Sequence, residues 1–169
     1  MCLPALDRRR RDRLAFPWLS RTQLVRGPLL FWTLYFTVVA LSNLTDLLRH
    51  LGVRPPRWSW VSDNLGFVAS SIGRVGVSAG AAAPLLAGVI VWAALAALLF
   101  GHATARPWDD TRLVRAFALS LALWGAFIVL DEVLIIFETG AEATHVRLFT
   151  AELATLAVIH LLGPSKLEP

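Results

Sequence analysis

The sequence is short of what a soluble fold is made from. It contains one cysteine, Cys2, which excludes an internal disulfide, a Cys-x-x-Cys redox pair and a cysteine-built zinc site. Charge is scarce too: 17% of the 169 residues are charged, against about 25% in soluble domains. No charged side chain falls between Arg74 and Arg106, a run of 31 residues, or between Arg26 and Asp46, a run of 19. A phosphate-binding loop, a nucleophile elbow and a His-Glu-x-x-His pair are all missing, so the common soluble-enzyme chemistries find no footing. What the chain has is apolar bulk, 56% of residues, with a mean hydropathy of +0.61. That balance excludes a disordered chain, a disulfide-stapled secreted globule and an ordinary soluble domain. It predicts an all-α integral membrane protein of the cell (inner or plasma) membrane.

Four spans are readable, making a transmembrane domain over 28–164: about 28–51, 80–103, 110–139 and 144–162. Each exceeds the roughly 20 residues needed to cross a hydrocarbon core of about 30 Å. Pro84 suits a first helical turn, Asp109, Asp110 and Thr111 are candidate caps, and Gly163-Pro164 stops the last span. Before the spans lies a basic arm, 1–27, with seven arginines; after them a short tail, 165–169. Only Met1 precedes Cys2, so no lipoprotein signal is read there, and the arm's long basic part followed by a full span does not suit a secretory signal. With the arm inside, eleven of the sixteen basic side chains fall on the cytoplasmic side, so both termini are expected there. The net charge of +4 and pI near 10.5 then read as a topology signal and a contact for anionic lipid, with the bilayer as partner and no nucleic acid.

The segment after the first span breaks at Arg54-Pro55-Pro56-Arg57 and continues with Trp58-Ser59-Trp60. Trp58, Val61, Leu65, Val68, Ile72 and Val75 then recur every three or four residues, with Ser62, Asp63, Ser70 and Ser71 off that face. This predicts an extra amphipathic helix lying on the outer surface of the four-helix bundle. In the second span, Ala79, Gly80, Ala81, Ala82, Ala83, Ala87 and Gly88 predict close helix approach.

The carboxylates carry the functional signal. Seven of twelve fall in the outer half, several within spans, where a charge is expensive unless it faces a partner or water. Asn43, Asp46 and His50 share a face of the first span, Asp131 and Glu138 a face of the third, with Glu132 about 100° away, and His145 and Glu152 a face of the fourth. Asn43, Asp131 and Glu152 each lie about 12 Å below the outer ends of their spans, at 1.5 Å per residue. Antiparallel threading can therefore gather Asp46, His50, Asp131, Glu132, Glu138, His145 and Glu152, with Asn43, into one outward-facing polar cluster. Carboxylates and imidazoles from facing helices suit a divalent metal such as Fe, Mn or Zn, a proton relay, or a polar site for a quinone or headgroup. The plainer alternative is structural: Arg49 and Arg147 pairing with Asp46 and Glu152, and Asn43 and Thr45 bonding between helices. His50 with His145, or His102 with His160, offers axial ligands to a haem only weakly, because histidines at span ends are ordinarily solvated. Trp92 and Trp124 read as packing residues.

The layout, with a first span, a broken and partly amphipathic outer segment and a second span reading Pro84-Leu85-Leu86-Ala87-Gly88 and closing Ala97-Leu98-Leu99-Phe100-Gly101, resembles the DoxX and MauE group of small four-span bacterial membrane proteins. The resemblance covers about 28–162 and implies a membrane component associated with redox complexes. Two functional expectations follow: a small membrane subunit or accessory protein of a larger redox-linked complex, beside other subunits or copies of itself, or a membrane-embedded metal-binding enzyme or ion-handling protein working through the acidic cluster.

Overall fold

A computed structural model describes residues 20–53, 63–134 and 140–163. The described residues form α1 (Arg21–His50), α2 (Asn64–Arg74), a 3-10 turn (Ala79–Ala81), α3 (Ala82–Ala105), α4 (Asp110–Leu134) and α5 (Ala141–Leu162). α1, the turn with α3, α4 and α5 are long and apolar enough to cross a membrane.

α1 starts at Arg21, not near Pro28, because Ser20 and Gln23 close a capping box: the Ser20 hydroxyl accepts the Gln23 N–H at 3.2 Å and the Gln23 side chain accepts the Ser20 N–H at 2.8 Å. Pro28 sits within the helix. α1 and α2 end alike. Gly52 and Gly76 take φ of +74° and +76°, and the Val53 and Val77 N–H groups reach back to Leu48 and Ile72 carbonyls at 3.0 and 3.1 Å. These are Schellman closures, which glycine alone adopts without strain. α5 begins at Ala141, three residues before the expected Thr144, so Glu142 stands in its first turn instead of ahead of it. Residues Trp58 and Val61 of the expected surface helix lie outside the described residues; its remainder forms α2, capped by Asp63. Ser71, expected off the packed face, is buried beside Ile72. Its hydroxyl can turn inward because it donates to the Phe67 carbonyl at 2.8 Å.

Consecutive long helices run antiparallel. Thr33 of α1 lies against Gly101 of α3, Trp92 of α3 donates to the Leu119 carbonyl of α4 at 2.9 Å, and Asp131 of α4 meets His145 of α5. α1 packs most extensively on α3. Of the small residues expected at this approach, Ala82 is buried but Gly88 faces outward; Ala93, Ala96 and Ala103, farther along α3, do the close packing at 0% exposure. They leave room for an aromatic block in which Phe36 stacks on Phe100 (5.8 Å, 8°) and Trp124 (5.7 Å), and Phe100 meets Phe117 edge-on at 5.1 Å.

The bundle is built inside out relative to a soluble protein. Phe31, Val38, Leu98, Val114 and Val133 are more than half exposed, whereas Asp46, Asp131 and Glu152 are at most 2% exposed. Hydroxyls in the helices bond to carbonyls one turn back, as at Thr33, Thr37 and Ser120 (2.7–3.0 Å), so they need no water.

Candidate functional site: buried carboxylates in three groupings

The buried acidic groups lie toward the end of the bundle where α1 finishes and α5 begins. The structure sorts them into three groupings, and no hydrogen bond or ion pair joins one grouping to another among the described residues.

The first joins α1 to α2. Asp46, wholly buried, accepts the Arg49 guanidinium at 2.7 Å on one oxygen and the Leu65 backbone N–H at 2.8 Å on the other. The second bond anchors the first turn of α2, whose N–H groups lack helical partners. Alongside it, the Asn64 side-chain amide donates to Asn43. His50 Nδ1 lies 3.4 Å from Asp46, and its Nε2 lies 3.4 Å from Asp63. Asp46, His50 and Asp63 each present a ligand atom within 4.8 Å of the others, a spacing a divalent cation could bridge. Arg49, 2.7 Å from Asp46 and 3.5 Å from Asp63, already supplies positive charge there. The pairing foreseen for Arg49 thus exists, but within one helix.

The second grouping joins α4 to α5. Asp131 is 2% exposed, and one of its oxygens lies 2.6 Å from His145 Nδ1. The imidazole stacks on Phe127 (4.9 Å) and Trp124 (6.0 Å). A carboxylate on Nδ1 fixes the ring's orientation and leaves Nε2 as the exchanging nitrogen, the arrangement used by metal-ligating and proton-transferring histidines.

The third is Glu152, at 0% exposure in the seam below that pair. Ser120, Trp124 and Tyr35 of α1 stand near its carboxyl. Among the described residues, neither carboxyl oxygen nor the Trp124 indole N–H has a hydrogen bond of good geometry. The Ser120 hydroxyl, although beside the carboxyl, is directed at the Ala116 and Phe117 carbonyls at 3.0 and 3.2 Å. The foreseen Arg147–Glu152 pair does not form: Arg147 is exposed.

Of the other sequence candidates, Glu132 is exposed on α4 and Glu138 lies outside the described residues. His102 and His160 are exposed at the opposite end, while His50 and His145 belong to separate groupings. Sequence reasoning missed Asp63 as a partner of His50, Asn64 as a partner of Asn43, and Trp124 as a polar neighbour of Glu152. For Asp63 a signal existed, since an aspartate three residues before Gly66 is a cap and caps sit where helices meet. Comparison with family models, curated proteins and solved structures returns no match.

Proposed function

We propose that the chain is an integral membrane protein that binds and releases protons or small cations at Glu152, reached from the outer side past the Asp131–His145 pair. In this reading the four long helices span the cell membrane, both termini are cytoplasmic, and α2 lies as an amphipathic cover on the outer surface, held by Asp46. The observation that carries it is Glu152: a carboxyl with no exposure and, among the described residues, no ion-pair partner is a poor structural element in a bilayer, and such groups mark ion or proton sites. Asp131 and His145 support it. Seven residues separate His145 from Glu152 on one face of α5, about 10 Å at the helical rise, so the pair stands between the carboxyl and the nearer membrane surface.

The test is infrared spectroscopy of the purified protein in lipid across pH and with Na+, K+ or divalent salts. A carboxyl band that responds in the wild type and disappears in Glu152→Gln, with exchange slowed in His145→Ala, is the expected result. An unchanged response in Glu152→Gln overturns the reading. Elemental analysis addresses the metal alternative: stoichiometric Fe, Mn or Zn, lost in Asp46→Ala, would shift the work to the Asp46–His50–Asp63 grouping.

A second reading, the small subunit of a larger redox-linked complex implied by the DoxX and MauE resemblance, is favoured by α5. Only 11% of its most apolar stretch is buried, against 33% for α4, and Val146, Leu153, Val158 and Leu161 are exposed. Affinity purification in mild detergent that returns stoichiometric partner subunits supports it; a bare monomer counts against it.

A further inference from the structure

At the end of the bundle opposite Asp46, α3 and α4 part around a cavity of about 420 Å3 lined by Leu99 and His102 of α3 and by Arg112 and Arg115 of α4. None of these residues takes part in the carboxylate groupings. Arg112 is steered by Asp109, which accepts its side-chain Nε–H at 2.8 Å and its backbone N–H at 3.2 Å. The backbone bond first, then the guanidinium, holds the Asp109 carboxyl below the usual carboxylate range, so Asp109 offsets one positive charge near neutrality. Arg115 forms no ion pair among the described residues, and the terminal nitrogens of Arg112 have no side-chain partner there. The cavity therefore keeps a net positive charge and forked donors of the kind that grip phosphate.

An apolar track leads away from it. Leu95 and Leu98, 48% and 60% exposed, share the face of α3 that carries His102, and Val114, 62% exposed, adjoins Arg115 on α4. A basic cavity between membrane helices, continuous with exposed aliphatic side chains, has the two chemistries of an anionic phospholipid in the right order. We infer that this cavity seats the phosphate headgroup of an anionic phospholipid, with an acyl chain laid along Leu98 and Leu95.

The experiment is native mass spectrometry of the full-length protein in mild detergent, titrated separately with phosphatidylglycerol, phosphatidylcholine and inorganic phosphate. One phosphatidylglycerol per chain should be held about thirtyfold more tightly than phosphatidylcholine, as two basic side chains near a headgroup warrant. The Arg112→Gln/Arg115→Gln variant should lose that one tightly held lipid, while lipid held by the basic arm persists. Arg115→Gln alone, at an exposed position, should weaken it severalfold with an unchanged unfolding midpoint, which separates lost binding from lost folding. Equal retention of the two lipids, or a double variant that keeps its preference, overturns the inference. Displacement of phosphatidylglycerol by millimolar inorganic phosphate also overturns it, because the occupant would then be a soluble phosphate and the apolar track would have no part.

Discussion

Replacing Glu152 with methionine should make this protein more stable. The two side chains are similar in length and volume, so the substitution fills the same space in the α4–α5 seam. In the native chain both carboxyl oxygens are buried without a partner, and an unsatisfied buried polar group lowers stability by about 1–3 kcal/mol. Ser120 keeps its own bonds to the Ala116 and Phe117 carbonyls, so it loses nothing when the carboxyl goes. Trp124 Nε1 stands beside the carboxyl without a well-formed bond to it, so the substitution removes no hydrogen bond of good geometry. The expected gain is about 2 kcal/mol, a rise of about 4–8 °C in unfolding midpoint for a chain of this size. Tryptophan fluorescence during a fixed-rate thermal ramp in detergent reads it, helped by seven tryptophans. The same variant should lose the infrared response assigned to Glu152. A fall of several degrees would refute the reasoning, because it would mean the carboxyl has a stabilising partner in the folded protein and is retained for structure. A gain in stability joined to a loss of ion response is the signature of a residue kept for what it does.

Other outcomes follow from the same geometry. Asp46→Ala removes the acceptor of both Arg49 and the Leu65 N–H and should destabilise by about 3 kcal/mol, near the low end for breaking a buried pair since Arg49 keeps some solvent; hydrogen exchange should rise first in α2. Trp32→Phe deletes the indole bond to Thr155, 3.2 Å long, while keeping the ring stack, for a loss of about 1 kcal/mol in denaturant titration. Ala96→Leu drives bulk into a wholly buried position and should lower stability by about 1–3 kcal/mol. Asp109→Asn bears on pH: the folded Asp109 carboxyl ionises below its ordinary range, so its contribution is complete above the unfolded carboxylate pKa and fades as pH falls through the folded one. The wild type should therefore be the more stable at neutral pH, with the difference closing in acid.

The architecture was legible because hydropathy and length act on whole segments. Nineteen and thirty-one uncharged residues in a row leave few alternatives to long apolar helices, and all four such helices are present. Helix ends were less so: the Ser20–Gln23 box that starts α1 is a pair of polar side chains in a basic segment, easily read as arm. Periodicity assigns Asp131 to one face of its helix and His145 to one face of the next, because each follows from helical phase within one element; that the two faces meet depends on how the helices pack. It could not say that Asp46 would spend one oxygen on the Leu65 N–H, because that bond depends on how the chain returns after residue 53. Nor could it divide the acidic set. Phase fixes direction around each axis but not the distance between axes. α1 contacts α3 far more closely than α5, and that asymmetry keeps Asp46 apart from Asp131 and Glu152.

That division also limits the kind of ion handling the bundle can support. Past Glu152, toward the Arg112 end, the interior is filled by Leu29, Val25, Phe100, Phe117, Leu113 and Ile159, each at most 6% exposed. Trp32 crosses the seam there by its bond to Thr155 of α5. A conducting path needs polar groups or water along its whole length, and among the described residues this half is filled by apolar side chains apart from the Trp32–Thr155 pair. An ion that reaches Glu152 past His145 must leave the way it came, unless α5 moves relative to α1. Of the long helices, α5 has the smallest buried share, and its contact with α1 is slight, so it is the element whose displacement is least opposed by packing. The proposed site therefore fits a protein that loads and unloads one carboxyl and couples its state to the position of α5, not an open channel. A cross-link that fixes α5 to α1 at the Trp32–Thr155 level should leave the infrared response of Glu152 intact if loading is from one side. It should abolish that response if the helix must swing to admit the ion.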